Sequence, residues 1–256
     1  MIRILLHGCN GAMGKVITEM VKESKDLAIA AGVDVNADGS GSDYPVFRSI
    51  DECRGTEADV LLDFSTAKAV DSVMAFAQEK QMPAVICTTG LSTEQTEKLK
   101  KAAEKTAVLR SANMSLGINL LLKLASEAAA TLSANGFDIE IVEKHHHRKL
   151  DAPSGTALEI ADSVNHACND RYHYVYDRSE RHAARDPEEI GISSVRAGSI
   201  TGDHDVIFAG EDEVLTISHT AYSRRIFAKG ALSAAQFLAG KPAGFYTMAD
   251  VINSRF

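Results

Sequence analysis

The sequence predicts an α/β protein of two domains: a parallel sheet flanked by helices, joined to a smaller α+β domain with a mixed sheet. Three observations predict it. Strand and helix signals alternate through residues 2–115, as in parallel strands linked by crossover helices. A turn spaced by three glycines separates the first strand from the first helix. From residue 191, strand signals follow one another with no helix between them, which favours antiparallel or mixed pairing.

Each element has its own signal. Ile2 to Leu6 is a short β-prone run that stops at Gly8. Val16, Ile17, Met20 and Val21 then share one helical face, and "LAIAAGVDV" reads as a buried strand ending near Asp34. Strands are expected at "ADVLLDFS" (58–65), "PAVICTTG" (83–90) and "AVLRSANMS" (107–115). Helices are expected over 67–80 and over 92–105, where Ser92 and Gln95 form a capping-box pattern. In the second half, "INLLLKLASEAAATL" (118–132) predicts a long helix, "FDIEIVEKHHH" (137–147) a strand, and residues 155–167 a helix. Strands follow in "GISSVRAGS", "HDVIFAG" and "EVLTISHTAYS". The last thirty or so residues, from "FAKGALSAAQFLAG" on, return to helix and suit packing on either domain.

Length and charge bound the function. A chain of 256 residues is long enough for one large or two modest domains with a sizeable core. A formal net charge of -8 argues against a general nucleic-acid binder, which needs basic surface to displace counterions. Cys9, Cys53, Cys87 and Cys168 form no C-x-x-C pair, so reduced thiols in a cytoplasmic protein are expected rather than a zinc ribbon or redox pair. The apolar run at the N-terminus is too short for a signal peptide, and no stretch approaches the ~20 apolar residues of a membrane span.

The glycine turn points to a phosphate. Gly8, Gly11 and Gly14 follow a strand and open a helix, whose first N–H groups and partial positive charge suit a pyrophosphate. Glycines allow the backbone to approach it closely. The spacing is G-x-x-G-x-x-G, with Asn10 where a second Gly is often found. Asp34 lies 20 residues after Gly14, at a strand end, where an acid accepts hydrogen bonds from ribose hydroxyls. An ordinary strand–helix turn is the alternative, but the strand, helix and acid supply the context of a Rossmann-like dinucleotide-binding domain.

A second anion site is expected at residues 144–157, "KHHHRKLDAPSGTA". Six consecutive basic side chains, Lys144 to Lys149, precede Asp151, Pro153 and a helix start. On a strand, His145 and His147 would share one face and His146 the other. Metal binding is disfavoured, because helical H-x-x-x-H spacing is absent and no Cys lies nearby. Thr156 to Glu159 fits a capping box, and the free N–H groups of this helix start make an anion site beside Lys149 and the imidazoles. A small molecule with one or two carboxylates fits better than a polyanion, and an imidazole there can donate a proton.

The run from Glu140 to Ala157 closely resembles the signature of the dihydrodipicolinate (4-hydroxy-tetrahydrodipicolinate) reductases of the diaminopimelate–lysine pathway. It matches E-(I/V)-x-E-x-H-x-x-x-K-x-D-x-P-S-G-T-A at every fixed position. The resemblance extends to G-x-x-G-x-M-G at 8–14, "DFS" at 63–65, "TTG" at 88–90, "ANMSLGIN" at 112–119, "RAGSITGDH" at 196–204 and "ISHTAYSR" at 217–224. It implies reduction of a cyclic dicarboxylate by NADH or NADPH, with no metal, in a homotetramer built from packed sheets. It implies a dinucleotide-binding domain of residues 1–116 with 226–256, and a substrate-binding and tetramerisation domain of residues 117–225. By motif, His145 is the proton donor and Lys149 the second catalytic group. His146, Ser154, Gly155 and Thr156 hold substrate carboxylate. Gly8, Cys9, Asn10, Gly11, Ala12, Met13, Asp34, Cys87, Thr88, Thr89, Ala112, Asn113, Met114 and Ser115 line the cofactor.

Three departures stand out. Cys87 replaces a Gly common in relatives, Val35 replaces an Arg found in some, and His147 and Arg148 occupy variable positions. With Asp34 in place and no Arg at 35, NADH is the expected lean. Two rivals remain at this level: a non-catalytic nicotinamide sensor, and another two-domain amino-acid dehydrogenase.

Overall fold

The computed structural model describes residues 1–37 and 42–254. The chain divides into two units, Met1–Leu116 with Arg225–Phe256, and Gly117–Arg224. Residues 255 and 256, where the expected helical ending closes, lie outside the described residues.

The first unit starts with strand β1 (Ile2–His7), helix α1 (Ala12–Lys22), β2 (Leu27–Val33), a two-residue β3 (Val46–Phe47) and β4 (Val60–Asp63). Helix α2 (Val70–Glu79), entered through a 3-10 turn at Ala67–Ala69, leads to β5 (Ala84–Ile86), α3 (Thr93–Ala102) and β6 (Ala107–Arg110). Ser92 caps α3 with the full capping box, its hydroxyl accepting from Gln95 N and Gln95 accepting from Ser92 N.

The second unit begins with α4, whose span is Leu116–Leu132, then β7 (Asp138–His145), α5 (Gly155–Ala167), β8 (His173–Val175), β9 (Glu189–Arg196), β10 (Gly202–Ala209) and β11 (Val214–Ala221). Residues from Arg225 on rejoin the first unit as α6 (Arg225–Leu238), β12 (Gly244–Tyr246) and α7 (Met248–Asn253).

The first unit's sheet runs β12-β6-β5-β4-β1-β2-β3, and all of its pairings are parallel. Its central strands β4 and β5 are buried on both faces, and Val60–Leu62 and Ala84–Ile86 read as continuous apolar runs for that reason. Side chains divide between two core layers. Ile4, Leu6, Val85 and Leu109 pack with α1 and α6, and Leu5, Leu61, Ile86 and Val108 pack with α2 and α3. The second sheet, β11-β10-β7-β9-β8, is mixed, with β7 antiparallel to β10 and parallel to β9. Along β7 every second residue is buried, so Ile139, Ile141, Glu143 and His145 share one face.

The structure corrects several boundaries. The strands expected over 83–90 and 107–115 stop at Ile86 and Arg110, because ladder partners run out and the backbone turns into loops. Strand β7 stops at His145, not His147. His147 is exposed in a turn, so the alternation that would have paired it with His145 does not reach it. The cap of α5 is Ser154 rather than Thr156, with its hydroxyl accepting from Ala157 N at 3.2 Å. The final segment holds a strand, β12, as well as helices.

Candidate active site

In the first unit, the turn after β1 is built without side chains. Gly8 has φ 81°, and a Cβ there would stand 2.6 Å from the Phe64 carbonyl oxygen. A Cβ on Gly14 would collide with the carbonyl oxygens of Gly8 and Cys9. Gly11 is the N-cap of α1 and supplies no side-chain acceptor, which leaves first-turn N–H groups at Ala12 and Met13 for an outside anion. Asp34 follows β2, and its carboxylate braces this turn, accepting from Asn10 N and Asn36 N at 3.0 Å each.

Beside the turn lies a cleft of about 320 Å³ lined by Met13, Cys87, Thr88, Thr89, Ala112 and Met114 from the expected set, together with Phe64, Ser65 and Phe227. Asn113 and Ser115 are buried instead, with Asn113 Oδ1 accepting from Ser115 N at 3.0 Å. Cys9 is also buried, against Gly32. Burial, and then the nearby Asp63, push the Cys87 thiol well above its ordinary range, so it stays protonated.

Sequence reasoning assigned no role to Asp63. It is fully buried and holds three chain segments together. Its carboxylate lies 2.8 Å from His7 Nδ1, and it accepts from Thr88 Oγ1 at 2.6 Å and Ser65 N at 3.2 Å. The hydroxyl of Thr88 is thus spoken for, which leaves the backbone of that residue to face the cleft. An acid ending the apolar run "VLLD" was the available signal.

In the second unit the basic run folds into a corner at the end of β7. His145 is buried, with Nδ1 2.6 Å from Glu143 Oε2. Arg196, at the end of β9, forks onto Glu143 with bonds of 2.8 and 2.7 Å, and Ser154 N donates to the same carboxylate at 3.2 Å. Burial alone would raise the Glu143 carboxyl, but Arg196, Ser194 and His145 outweigh it and hold it at about 2. His204 stacks edge-on against His145, with ring centroids 5.3 Å apart, and meets Ser154 Oγ at 3.2 Å. Burial, and then His145, push His204 down to about 4, so it is neutral near pH 7.

Past the strand, a turn closed by Lys149 N donating to His146 O brings Lys149 back, and its amine pairs with Asp151 at 2.8 Å. Lys149, assisted by the Gly155 N–H, holds the Asp151 carboxyl below its usual range. Lys149 and the start of α5 therefore meet on a carboxylate that belongs to the chain itself. His146 is part-buried, and desolvation followed by Arg148 lowers its pKa. The Ala152–Pro153 bond that leads into α5 is cis. Among the described residues no group of three or more His, Cys, Asp or Glu is placed to hold a metal ion. No helix of those residues is long and apolar enough to cross a membrane.

These groups set the acid stability. Glu143 is depressed to about 2 in the folded chain against an ordinary 4.5, and so is buried Glu189 at the start of β9, where hydrogen bonds from Arg181 and Arg178 outweigh burial, so the stability they add is present above 4.5 and lost as pH falls toward 2. His204 is depressed from 6.5 to about 4, so folding loses stability over that window too. Melting temperature is expected to drop once pH falls below about 6.5 and to drop faster below about 4.5. A flat melting temperature from pH 6.5 to 4 in calorimetry would contradict this assignment.

A phosphate-cradling turn on a parallel sheet, and on the other unit a braced imidazole beside a carboxylate-holding corner, are the equipment of a nucleotide-dependent reductase. Comparison with known proteins gives the family. Residues 2–114 match the family model described as dihydrodipicolinate reductase, N-terminus, and residues 117–252 match the one described as dihydrodipicolinate reductase, C-terminus. The chain is 50% identical over 252 residues to the 4-hydroxy-tetrahydrodipicolinate reductase of Caldanaerobacter subterraneus, covering 98% of each. It is 46% identical to that of Clostridium tetani, covering 99% of this chain and 98% of the other. A solved dipicolinate-bound dihydrodipicolinate reductase from Paenisporosarcina sp. TG-14 superposes with TM-score 0.82 at 27% identity, covering 96% and 97% of the two chains. The chain belongs to the dihydrodipicolinate reductase family: it is a nucleotide-binding oxidoreductase with the activity for which that family is named.

Proposed function

We propose that the chain reduces 4-hydroxy-tetrahydrodipicolinate to tetrahydrodipicolinate with NADH or NADPH, in diaminopimelate and lysine biosynthesis, as a cytoplasmic homotetramer. The observation that carries this reading is the corner at Lys149 and Gly155, which already holds a carboxylate, that of Asp151, next to a braced histidine. A ring dicarboxylate would take over those donors. His146, Ser154 and Thr156 stand around the same corner.

The glycine turn and the cleft beside it fit a nicotinamide dinucleotide, because they offer bare backbone, unclaimed first-turn N–H groups and an acid at the end of β2. When bound, the cofactor supplies a hydride to an electron-poor ring carbon. His145 gives a proton to the negative charge that develops, and Lys149 neutralises carboxylate charge during binding and in the transition state. Val195, Val214 and Leu215 are exposed on the second sheet and support assembly through that sheet.

The test couples the chain to dihydrodipicolinate synthase and follows NADH absorbance. NADH consumption is expected, with competitive inhibition by pyridine-2,6-dicarboxylate and far weaker inhibition by benzoate, which lacks the second set of charge-assisted hydrogen bonds. NADH binding without consumption would identify a sensor, and equal inhibition by both acids would show that two carboxylates are not read.

Cofactor choice rests on Asp34, whose carboxylate repels a 2′-phosphate, and on exposed Val35, which offsets nothing. Lys15, exposed one residue after Gly14, partly compensates. Dual use with a lean toward NADH is expected, on the order of tenfold in kcat/KM, or about 1.4 kcal/mol. Asp34→Ala with Val35→Arg is expected to shift the preference toward NADPH. It should also lower kcat/KM with both cofactors, because Asp34 braces the turn at Asn10. The ratio of the two kcat/KM values is therefore the readout, and a parent enzyme strongly preferring NADPH would overturn the Asp34 argument.

A further inference from the structure

Glu143 is a carboxylate with every hydrogen-bonding position directed. One oxygen accepts from Arg196 and from Ser154 N, and the other accepts from Arg196 and faces His145 Nδ1. An ionised carboxylate only accepts, so the nitrogen at 2.6 Å must carry the hydrogen. A Cβ on Gly202 would stand 3.0 Å from the remaining nitrogen, Nε2, and glycine leaves that space empty.

The charges around His145 decide what kind of influence this is. Arg196 covers both oxygens of Glu143, so the pair presents little net charge to the imidazole. His204 is neutral near pH 7, and Lys149 is paired with Asp151. His146 lies near as well, and its charged form is disfavoured. The bond to Glu143 acts by direction: it fixes which nitrogen holds its hydrogen and which way the ring faces.

We propose that Glu143 is a positioning residue that keeps the hydrogen of His145 on Nδ1 and reserves Nε2 for proton exchange with substrate, while Arg196 keeps Glu143 ionised. The proposal rests on the reading of His145 as proton donor. In the cycle, doubly protonated His145 loses its Nε2 proton to the reduced ring and becomes the neutral Nδ1–H tautomer, still bonded to Glu143. A proton from water then restores Nε2–H. Glu143 gains and loses nothing.

The test reads the tautomer directly, by 15N NMR of histidine-labelled enzyme above the titration of His145, with its signal assigned by loss in His145→Gln. The parent enzyme is expected to show Nδ1–H. In Glu143→Gln, the position that meets two donors, Arg196 and Ser154 N, keeps the oxygen, so the amide NH2 is left facing Nδ1 and the other Arg196 nitrogen. Nδ1 must then accept, and Nε2–H becomes the major form. The kcat of Glu143→Gln is expected to fall on the order of 10²-fold with NADH affinity unchanged, and Glu143→Asp to recover part of it. A parent spectrum showing Nε2–H overturns the proposal, and decides by itself if the variant fails to fold. A Glu143→Gln enzyme that keeps Nδ1–H, or keeps kcat within threefold, overturns it too. The spectra involve no turnover, so the two readings separate. An inactive His145→Gln with the wrong parent tautomer removes only the positioning role. An active His145→Gln removes the donor reading and the positioning role with it.

Discussion

His145→Gln is expected to lower kcat by roughly 10²–10⁴-fold, the loss that follows removal of a positioned general acid. Glutamine fills similar space and keeps a polar end near Glu143 and Arg196, so the fold should persist. It has no proton to release at neutral pH. NADH dissociation is expected to stay unchanged, because the cradle proposed for the dinucleotide draws on residues 8–13, 34, 87–89 and 112–115 and not on His145. Lys149→Met should be comparably severe and should raise KM for the dicarboxylate as well, if the amine has the role proposed for it in binding and in the transition state. His147→Ala is the control. That side chain is exposed, and the residue's backbone N–H donates to Gly198 O, a bond that alanine keeps, so activity should stay near that of the parent. A His145→Gln enzyme within a few-fold of the parent would show that another group delivers the proton.

Arg196→Ala is expected to be the most destabilising single change in the second unit. Glu143 has no exposed surface, and its charge is tolerated because the guanidinium covers both oxygens. Removing one partner of a buried pair costs about 3–5 kcal/mol, because the other charge is left without compensation. At roughly 2–4 °C per kcal/mol for a chain of this size, the melting temperature should fall by about 6–20 °C. Replacing both partners, as Glu143→Met with Arg196→Met, should cost less than Arg196→Ala alone, because no buried charge is stranded. Thermal melts of the three proteins decide it. A double variant less stable than Arg196→Ala would mean that the pair stabilises the fold by more than its own desolvation costs.

The sequence showed much of this architecture and left specific parts hidden. Elements with a long, regular signal were legible: the alternation from β1 to β6, the glycine turn, the half-buried β7 and the capping box of α3. Three residues of β12 carry almost no periodicity, and they pair with β6 across more than a hundred residues of sequence, so nothing local announces them. The start of α5 was read correctly, but its cap was misplaced by two residues because Ser154 and Thr156 are both competent caps, and the backbone geometry after Pro153 chooses between them. At the corner after β7, the motif named His145 and Lys149, but their supports are distant. Arg196 reaches Glu143 from 53 positions away, and His204 reaches Ser154 from 50. Side-chain pairs of that separation are a product of sheet register, which spacing within a motif cannot report.

The first unit is completed by residues that the ribosome delivers after the whole of the second unit. Until Arg225–Leu238 emerges, the layer holding Ile4, Leu6, Val85 and Leu109 lacks Ala228, Ala231, Ala234, Ala235 and Leu238, and until Gly244–Tyr246 follows, β6 has no neighbour on its outer side. The loop at Met114 also lacks the bare backbone of Gly230, against which its carbonyl rests. Residues 117–224 form a continuous stretch and have all their strands by then. During synthesis, therefore, His145 and its carboxylate partner can be in place while the first unit is still half-built and its strand edge bare, which makes that interval the nascent chain's exposure to aggregation and to chaperones.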